Sequence, residues 1–309
     1  MARPPFRVTS YERAWIEPFS GGRRGPPPSG GFPRAQIEQI ARTVRRTREV
    51  MVKVTGGGSN VGAVAAHLAY IGRKGALEIE TDDGQRVTGR AEQKAILDDW
   101  HLELSAGQYR RPGTGQATAR ATKLVYNIVL SMPSPVSPEC VLRAAREFSR
   151  ETFGAKHRYA MVLHTDQAHP HVHVVVKAEN EEGRRLHIDK AMLRQWREDF
   201  AQAMREQGIT ANATPRTVRG RGPRRVKDGA YRARTRSDRR QAATSATPVN
   251  EQRPETRALV TSYWKDIARR LDQQGEIELA GDVRYFANRL PGSNTEKERT
   301  RVRVAERSI

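Results

Sequence analysis

Between residues 34 and 209 apolar and polar positions alternate in a way that predicts short strands and amphipathic helices. Glu49 to Thr55 (EVMVKVT) alternates and is rich in β-branched residues, which predicts a strand. The GGGSN that follows suits a tight turn and, through Asn60, the start of a helix over Val61 to Ile71, stopped by Gly72 or Gly75. ALEIE and QRVTG predict a hairpin around Asp82, Asp83 and Gly84. Ala91 to Glu103 predicts a further helix, and the RRPGTGQAT beyond it a loop. Lys123 to Met132 (KLVYNIVLSM) is a mostly apolar strand; Pro133 and the Ser137-Pro138 pair end it and open a helix to about Thr152, with Val141, Leu142, Ala145 and Phe148 on one face. Two strands joined by a short loop, Arg158 to Thr165 and His171 to Ala178, come next. A helix from about Lys190 to Glu206 follows, N-capped by Asp189 and stopped by Gly208, with Leu193, Trp196, Phe200 and Met204 as its apolar stripe.

Both ends of the chain read differently. Residues 1–33 hold Pro4, Pro5, Pro18 and the run GGRRGPPPSGG, a composition with too little apolar surface to order itself. With a short amphipathic helix carried by Ile37, Ile40 and Val44, residues 1–48 are expected to form a flexible basic arm. Residues 49–209 are the expected folded domain, and 210–250 a basic linker or wrapping segment. Thr210 to Arg240 contains 11 Lys and Arg against 2 acidic residues, a balance of +9. Residues 251–309 are expected to be a small helical segment. Glu255 to Gln274 carries a stripe of Leu259, Tyr263, Ile267 and Leu271 at steps of four, and a second helix fits Leu279 to Leu290. The fold class is α+β: a central, mainly antiparallel sheet with flanking helices.

The chain's 309 residues carry a formal charge of +20 and a pI near 10.8. So large an excess argues against an ordinary acidic metabolic enzyme and for a polyanionic partner, nucleic acid first, whose phosphates reward clustered Lys and Arg. A single cysteine, Cys140, excludes an intrachain disulfide and a cysteine-based metal cluster, which fits a reducing, cytoplasmic compartment. No apolar stretch approaches the roughly 18 residues of a membrane span, and the first residues lack the apolar core of a secretory signal.

Candidate chemistry is concentrated in one place. His164, Asp166, His169, His171 and His173 fall within ten residues that hold four of the chain's eight histidines. On a strand, positions 171 and 173 point to one face with α-carbons roughly 6.5 Å apart, and a hairpin brings His164 beside them. Three neutral imidazoles with open positions suit a catalytic metal ion rather than a closed structural one. Asp166 is placed to take an imidazole N–H and fix its tautomer; His169 is either a fourth ligand or a phosphate contact. A metal beside a basic surface suggests phosphodiester chemistry, with water, a hydroxyl or a tyrosine as nucleophile. Tyr70, in HLAYIGRKG with Arg73 and Lys74 one turn on, is the candidate tyrosine, although its spacing also fits simple helix packing. Tyr126 and Tyr159 sit in strand patterns and read as core or near-core.

These segments carry a resemblance. AYIGRKG, NIVLSMP followed by a helix, HTDQAHPHVHVVV, RLHIDKAMLRQWREDFAQAMREQGI and ANATPRTVRG together resemble the relaxase/mobilisation nuclease family of T-DNA border endonuclease type. That family lies within the histidine-hydrophobe-histidine (HUH) endonucleases. The resemblance spans about Glu49 to Gly220, and a departure from it is the long segment ahead of the first motif strand. It implies a site- and strand-specific nickase that cuts the transfer origin of a mobile element, forming a 5′-phosphotyrosyl link and leaving a free 3′ hydroxyl. Tyr70 would be the nucleophile, His164, His171 and His173 the ligands of Mg²⁺ or Mn²⁺, and Asp166 the residue that orients a histidine. Arg73, Lys74, Ser131, His169, Arg216, Arg219 and Arg221 would contact DNA. The implied partners are single-stranded origin DNA, accessory relaxosome proteins and a type IV secretion coupling protein, in the bacterial cytoplasm, with export alongside the DNA. The other readings are a rolling-circle initiator or transposase of the same chemistry, and a non-catalytic basic DNA-binding protein.

Overall fold

The computed structural model describes residues 31–108, 122–154, 156–221 and 254–290. Its strands are β1 (Met51–Gly56), β2 (Ile79–Thr81), β3 (Arg86–Val87), β4 (Val125–Ser131), β5 (Tyr159–His164) and β6 (His171–Lys177). They form one sheet in the order β1-β4-β6-β5-β2-β3, and every pairing is antiparallel. The helices are α1 (Arg34–Val44), α2 (Val61–Ile71), α3 (Arg90–Asp99), α4 (Leu102–Gln108), α5 (Pro138–Phe153), α6 (Lys190–Glu206), α7 (Pro254–Gln273) and α8 (Ile277–Asn288). The chain has the α+β architecture that its apolar pattern predicts. No helix among the described residues is long and apolar enough to cross a membrane.

The chain divides into two units, of which Arg48–Ala213 holds the sheet. Strand side chains alternate between faces, so each central strand feeds two separate cores. On one face Val52, Ile128, Leu130, Val172, Val174 and Val176 pack against Val141, Phe148 and Phe153 of α5 and Trp196, Phe200 and Met204 of α6. On the other, Val125, Ala160, Val162 and Val175 pack under Val64, Leu68 and Ile71 of α2 and Ile96 and Leu97 of α3. Entry into α2 is fixed locally: the Asn60 side chain accepts a hydrogen bond from the Ala63 N–H at 2.8 Å. Gly57 lies so close to the Val125 carbonyl that a Cβ there would sit 2.2 Å from it, which only glycine avoids.

The predicted helix over Ala91 to Glu103 is in fact two helices, broken at Trp100 and His101, where His101 adopts a left-handed φ of 49°. Trp100 and Leu102 are both about 1% exposed in the same core. Two positions apart, they would point to nearly opposite sides of a continuous helix, so the break lets both be buried.

The other unit comprises residues 1–47 and 214–309. Phe32, Ile40 and Val44 share a core there with Val218, Val260, Trp264, Leu271, Val283, Phe286 and Leu290. The helix expected within a flexible arm is therefore packed against helices more than 200 residues later in sequence. Gln274 fastens its start, accepting from the Phe32 N–H at 2.6 Å and donating to the Phe32 carbonyl at 2.9 Å. The buried face of α7 is also rotated from the predicted stripe. Thr256, Val260, Trp264, Ile267 and Leu271 are buried, whereas Leu259 and Tyr263 are only half-buried. A strict step of four drifts around a helix of 3.6 residues per turn, and alternating steps of three and four do not. Residues 1–30, the whole RRPGTGQAT loop and most of the basic stretch up to Arg240 lie outside the described residues.

Candidate active site on the sheet face

Strand register gathers the histidines. His164 is opposite His171 across the β5–β6 pair, and His173 lies between Val162 and Val129 in the next cross-strand row. Directly opposed residues share a face, so all three imidazoles stand on the α2 side of the sheet. Their ring centroids are 4.6 to 5.1 Å apart, and one nitrogen of each lies within 4.8 Å of the others.

Their hydrogen bonds set the tautomers. His164 donates Nε2–H to the Ile71 carbonyl at 2.6 Å, leaving its lone pair on Nδ1. His171 donates Nδ1–H to the His169 carbonyl at 3.2 Å, leaving its lone pair on Nε2. His173 Nδ1 is buried without a hydrogen-bond partner. Burial, then the neighbouring His164, His171 and His67 and Arg73, push His173 down to about 3. Burial first, with Arg73 and His171, also lowers His164 despite its bond to Ile71. Groups held neutral, with lone pairs converging and a buried nitrogen left over, fit a divalent cation; carbonyl contacts to the remaining N–H groups are the usual way ligand histidines are oriented.

The end of α2 is tied to this cluster through Ile71, so its neighbour Tyr70 is held beside the histidines while remaining 62% exposed. The backbone then turns sharply: Arg73, Lys74 and Gly75 take left-handed φ values of 50°, 58° and 97°. Left-handed backbone costs a non-glycine residue of order 1–3 kcal/mol and persists where the surroundings enforce it. Here it places the Arg73 guanidinium 5.6 Å from the Tyr70 ring centre, in an ion pair with Asp166 and 3.5 Å from His164 Nδ1. Desolvation raises the Asp166 carboxyl, but the charge and hydrogen bond of Arg73, with a backbone N–H and His164, together outweigh it and hold the group below its ordinary range. Asp166 is 3.9 Å from His164 Nδ1, and the tautomer of that ring is set by Ile71, not by Asp166. Lys74 is exposed.

His67 is a site residue that the sequence reading passed over. Its ring stacks on Tyr70 at 6.4 Å and meets His173 edge-on at 6.4 Å, with Nε2 buried and unpartnered; burial lowers its pKa. The available signal was its spacing, three residues ahead of Tyr70 on the same helical face. Tyr159 contrasts with Tyr70: it is 4% exposed, and burial, with Asp82 and Glu80, pushes its phenol up to about 12.

The remaining candidates are spread out. Ser131 is buried and donates Oγ–H to the Pro170 carbonyl at 3.2 Å, anchoring the turn just before His171. His169 is exposed and outside the three-histidine group; its Nδ1 accepts the Ser134 N–H at 3.2 Å, which leaves Nε2–H as an outward donor. Arg216, Arg219 and Arg221 belong to the other unit, where Arg219 Nε donates to the Thr214 carbonyl at 3.3 Å.

Residues 76–209 match the family profile "Relaxase: MobA/VirD2-like, nuclease domain". That span contains the three histidines and begins just after Tyr70. The chain is similar to the T-DNA border endonuclease VirD2 of Agrobacterium fabrum, 26% identical over 230 residues, 68% of this chain and 49% of that protein. It is also similar to the VirD2 of Rhizobium rhizogenes, 30% identical over 141 residues, 42% of this chain and 31% of that one. The chain thus spans about half the length, or less, of these curated relatives.

Proposed function

We propose, on the match of residues 76–209 to the MobA/VirD2-like relaxase nuclease profile, that the chain nicks one DNA strand at the transfer origin of a mobile element and joins itself to the cut end through Tyr70. The observation that carries this reading is the 2.6 Å bond from His164 to the Ile71 carbonyl, which ties the tyrosine-bearing end of α2 to the three-histidine cluster.

In the proposed step the Tyr70 phenolic oxygen attacks the scissile phosphorus in line. The new bond joins Tyr70 Oη to the 5′ phosphate, the P–O3′ bond breaks, the phenol proton passes to solvent, and the leaving 3′ oxygen takes a proton from solvent. Arg73 faces both Tyr70 and Asp166 and neutralises phosphate charge beside the attacking oxygen. His67 holds the Tyr70 ring by stacking. His164, His171 and His173 would hold Mg²⁺ or Mn²⁺, which when bound polarises a phosphoryl oxygen. His169 and Lys74 supply outward donors for flanking phosphates. Because the phosphotyrosine bond conserves the energy of the broken linkage, the same site can rejoin ends.

On this reading residues 49–209 are the nuclease domain, and Arg216, Arg219 and Arg221 open the basic segment that follows the DNA. Accessory relaxosome proteins and a type IV coupling protein are the expected partners, in the cytoplasm and during export with the DNA. The test is incubation of the full chain with Mn²⁺ and single-stranded oligonucleotides tiled across the DNA flanking its gene, followed by denaturing electrophoresis and peptide mapping. A covalent adduct on Tyr70, abolished in Tyr70→Phe, is expected. Binding without cleavage under any metal would refute the proposal and leave a non-catalytic DNA-binding protein.

A further inference from the structure

The sheet face that carries the histidines continues outward to the edge strand β1. Val52 and Val54 of β1 turn into the core under α5 and α6, so Met51, Lys53 and Thr55 point the other way, onto the histidine face, and all three are exposed. The register is explicit. Met51, Ser131, His171 and His164 form one cross-strand row; Lys53, Val129, His173 and Val162 form the next. Lys53 is therefore two strand spacings, about 10 Å, from His173 along the sheet.

Two further observations say what covers this strip. In a chain with 35 acidic residues, β1, β4 and β6 contain no Asp or Glu, and the carboxylate beside His164, Asp166, is paired to Arg73, so these three strands bring no carboxylate of their own to compete with Lys53. Met51 is 45% exposed, one of few large apolar side chains left in water among the described residues. A thioether is a soft, polarisable surface against which a flat ring packs well.

We propose that this strip is a binding track for the single-stranded DNA adjoining the scissile phosphate, with Lys53 neutralising a backbone phosphate and Met51 packing against a base. The inference rests on the nicking reading and extends it to the nucleotides beside the cut. A lysine on a rigid strand adds affinity without sequence preference, whereas the unstacked base on Met51 requires an unpaired strand. The track thus favours melted DNA over duplex.

The experiment uses the full chain and a fluorescent oligothymidylate, with affinity read by anisotropy across a salt series for Lys53→Glu, Met51→Ala and the control Lys190→Glu. Lys190→Glu makes the same change in net charge at the start of α6, which packs on the opposite face. Lys53→Glu is expected to weaken binding about tenfold or more and to flatten the salt dependence by at least about 0.7 in log–log slope. Met51→Ala is expected to cost about three- to tenfold with the slope unchanged. Lys190→Glu is expected to cost less than about twofold. Equal losses in the two glutamate variants would overturn the track, as would a self-association of the wild type that Lys53→Glu or Met51→Ala abolishes, since the strip would then be covered by a second copy. If wild type forms the Tyr70 adduct while Lys53→Glu binds normally, the track falls and nicking stands. If wild type neither binds the oligonucleotide nor forms an adduct, both fall.

Discussion

Along β6, Val172, Val174 and Val176 turn into a dry core beneath α5 and α6, while His171 and His173, one residue out of phase, turn to the opposite face. The two faces are made by the same strands but obey different rules. On the first, aromatic rings of α5 and α6 meet edge-on at 5.3 to 6.4 Å, and each side chain is placed where burial stabilises it. On the second, imidazoles are buried together, one retains a nitrogen with no partner, and a left-handed turn at Arg73 and Lys74 holds a guanidinium over an exposed phenol. A folded chain keeps such unfavourable placements where function requires them. Core residues of the first face such as Phe148 should therefore govern stability, and the histidine cluster and Arg73 turn of the second face activity.

The largest effect is expected from Phe148→Ala. This side chain is 1% exposed and touches Phe153, Trp196 and Phe200, so its truncation should cost about 3–5 kcal/mol in urea unfolding, with nicking lost only as far as the fold is lost. His173→Ala should do the reverse. Divalent metal affinity should drop more than about a hundredfold by titration calorimetry, while the unfolding midpoint of the metal-free protein stays constant or rises, because a buried nitrogen without a partner is removed. If His173→Ala destabilises the metal-free chain as severely as Phe148→Ala does, the division between faces is wrong.

A finer comparison concerns Asp166, which touches Arg73 and not the metal-facing nitrogens directly. Asp166→Asn frees the guanidinium and should lower the single-turnover nicking rate about tenfold with no measurable change in melting temperature, as expected for an exposed ion pair. The smallest effect is a pH dependence of stability away from the site. Burial lowers the pKa of His157 despite the bond from its Nδ1 to the Lys177 carbonyl. The unfolded chain therefore binds a proton near pH 6.5 that the folded chain resists, so this contribution is complete above that pH and is lost as pH falls below it. His157→Gln should flatten the decline in urea midpoint between about pH 7 and about pH 5.5; an unchanged slope would show that His157 does not contribute.

The sheet and the gathering of His164, His171 and His173 were legible because alternation with a period of two assigns each strand residue to a face, and antiparallel pairing then fixes its neighbours. What was not legible depended on contacts without local periodicity. The cover for Phe32, Ile40 and Val44 comes from Val218 and from helices more than 200 residues away, and no spacing rule connects an apolar stripe to so distant a partner. The break between α3 and α4 follows from Trp100 and Leu102 sharing one core, which the helical propensity of the segment conceals. His67 is not legible from sequence because an isolated histidine on a helix has no meaning until the helix is placed over His173. Similarly, Asp166 beside a histidine-rich strand suggested an imidazole partner; the left-handed turn after α2 gives it Arg73 instead.

On the reading proposed above, the imidazoles of His164, His171 and His173 bind one divalent ion beside the phenol of Tyr70. Anomalous diffraction from a crystal of the full chain grown with Mn²⁺ and measured at the manganese edge tests it directly. A single strong peak in contact with nitrogens of His164, His171 and His173, with the Tyr70 hydroxyl facing it, is expected. A peak held by other side chains, or none at these three rings at saturating Mn²⁺, would contradict it.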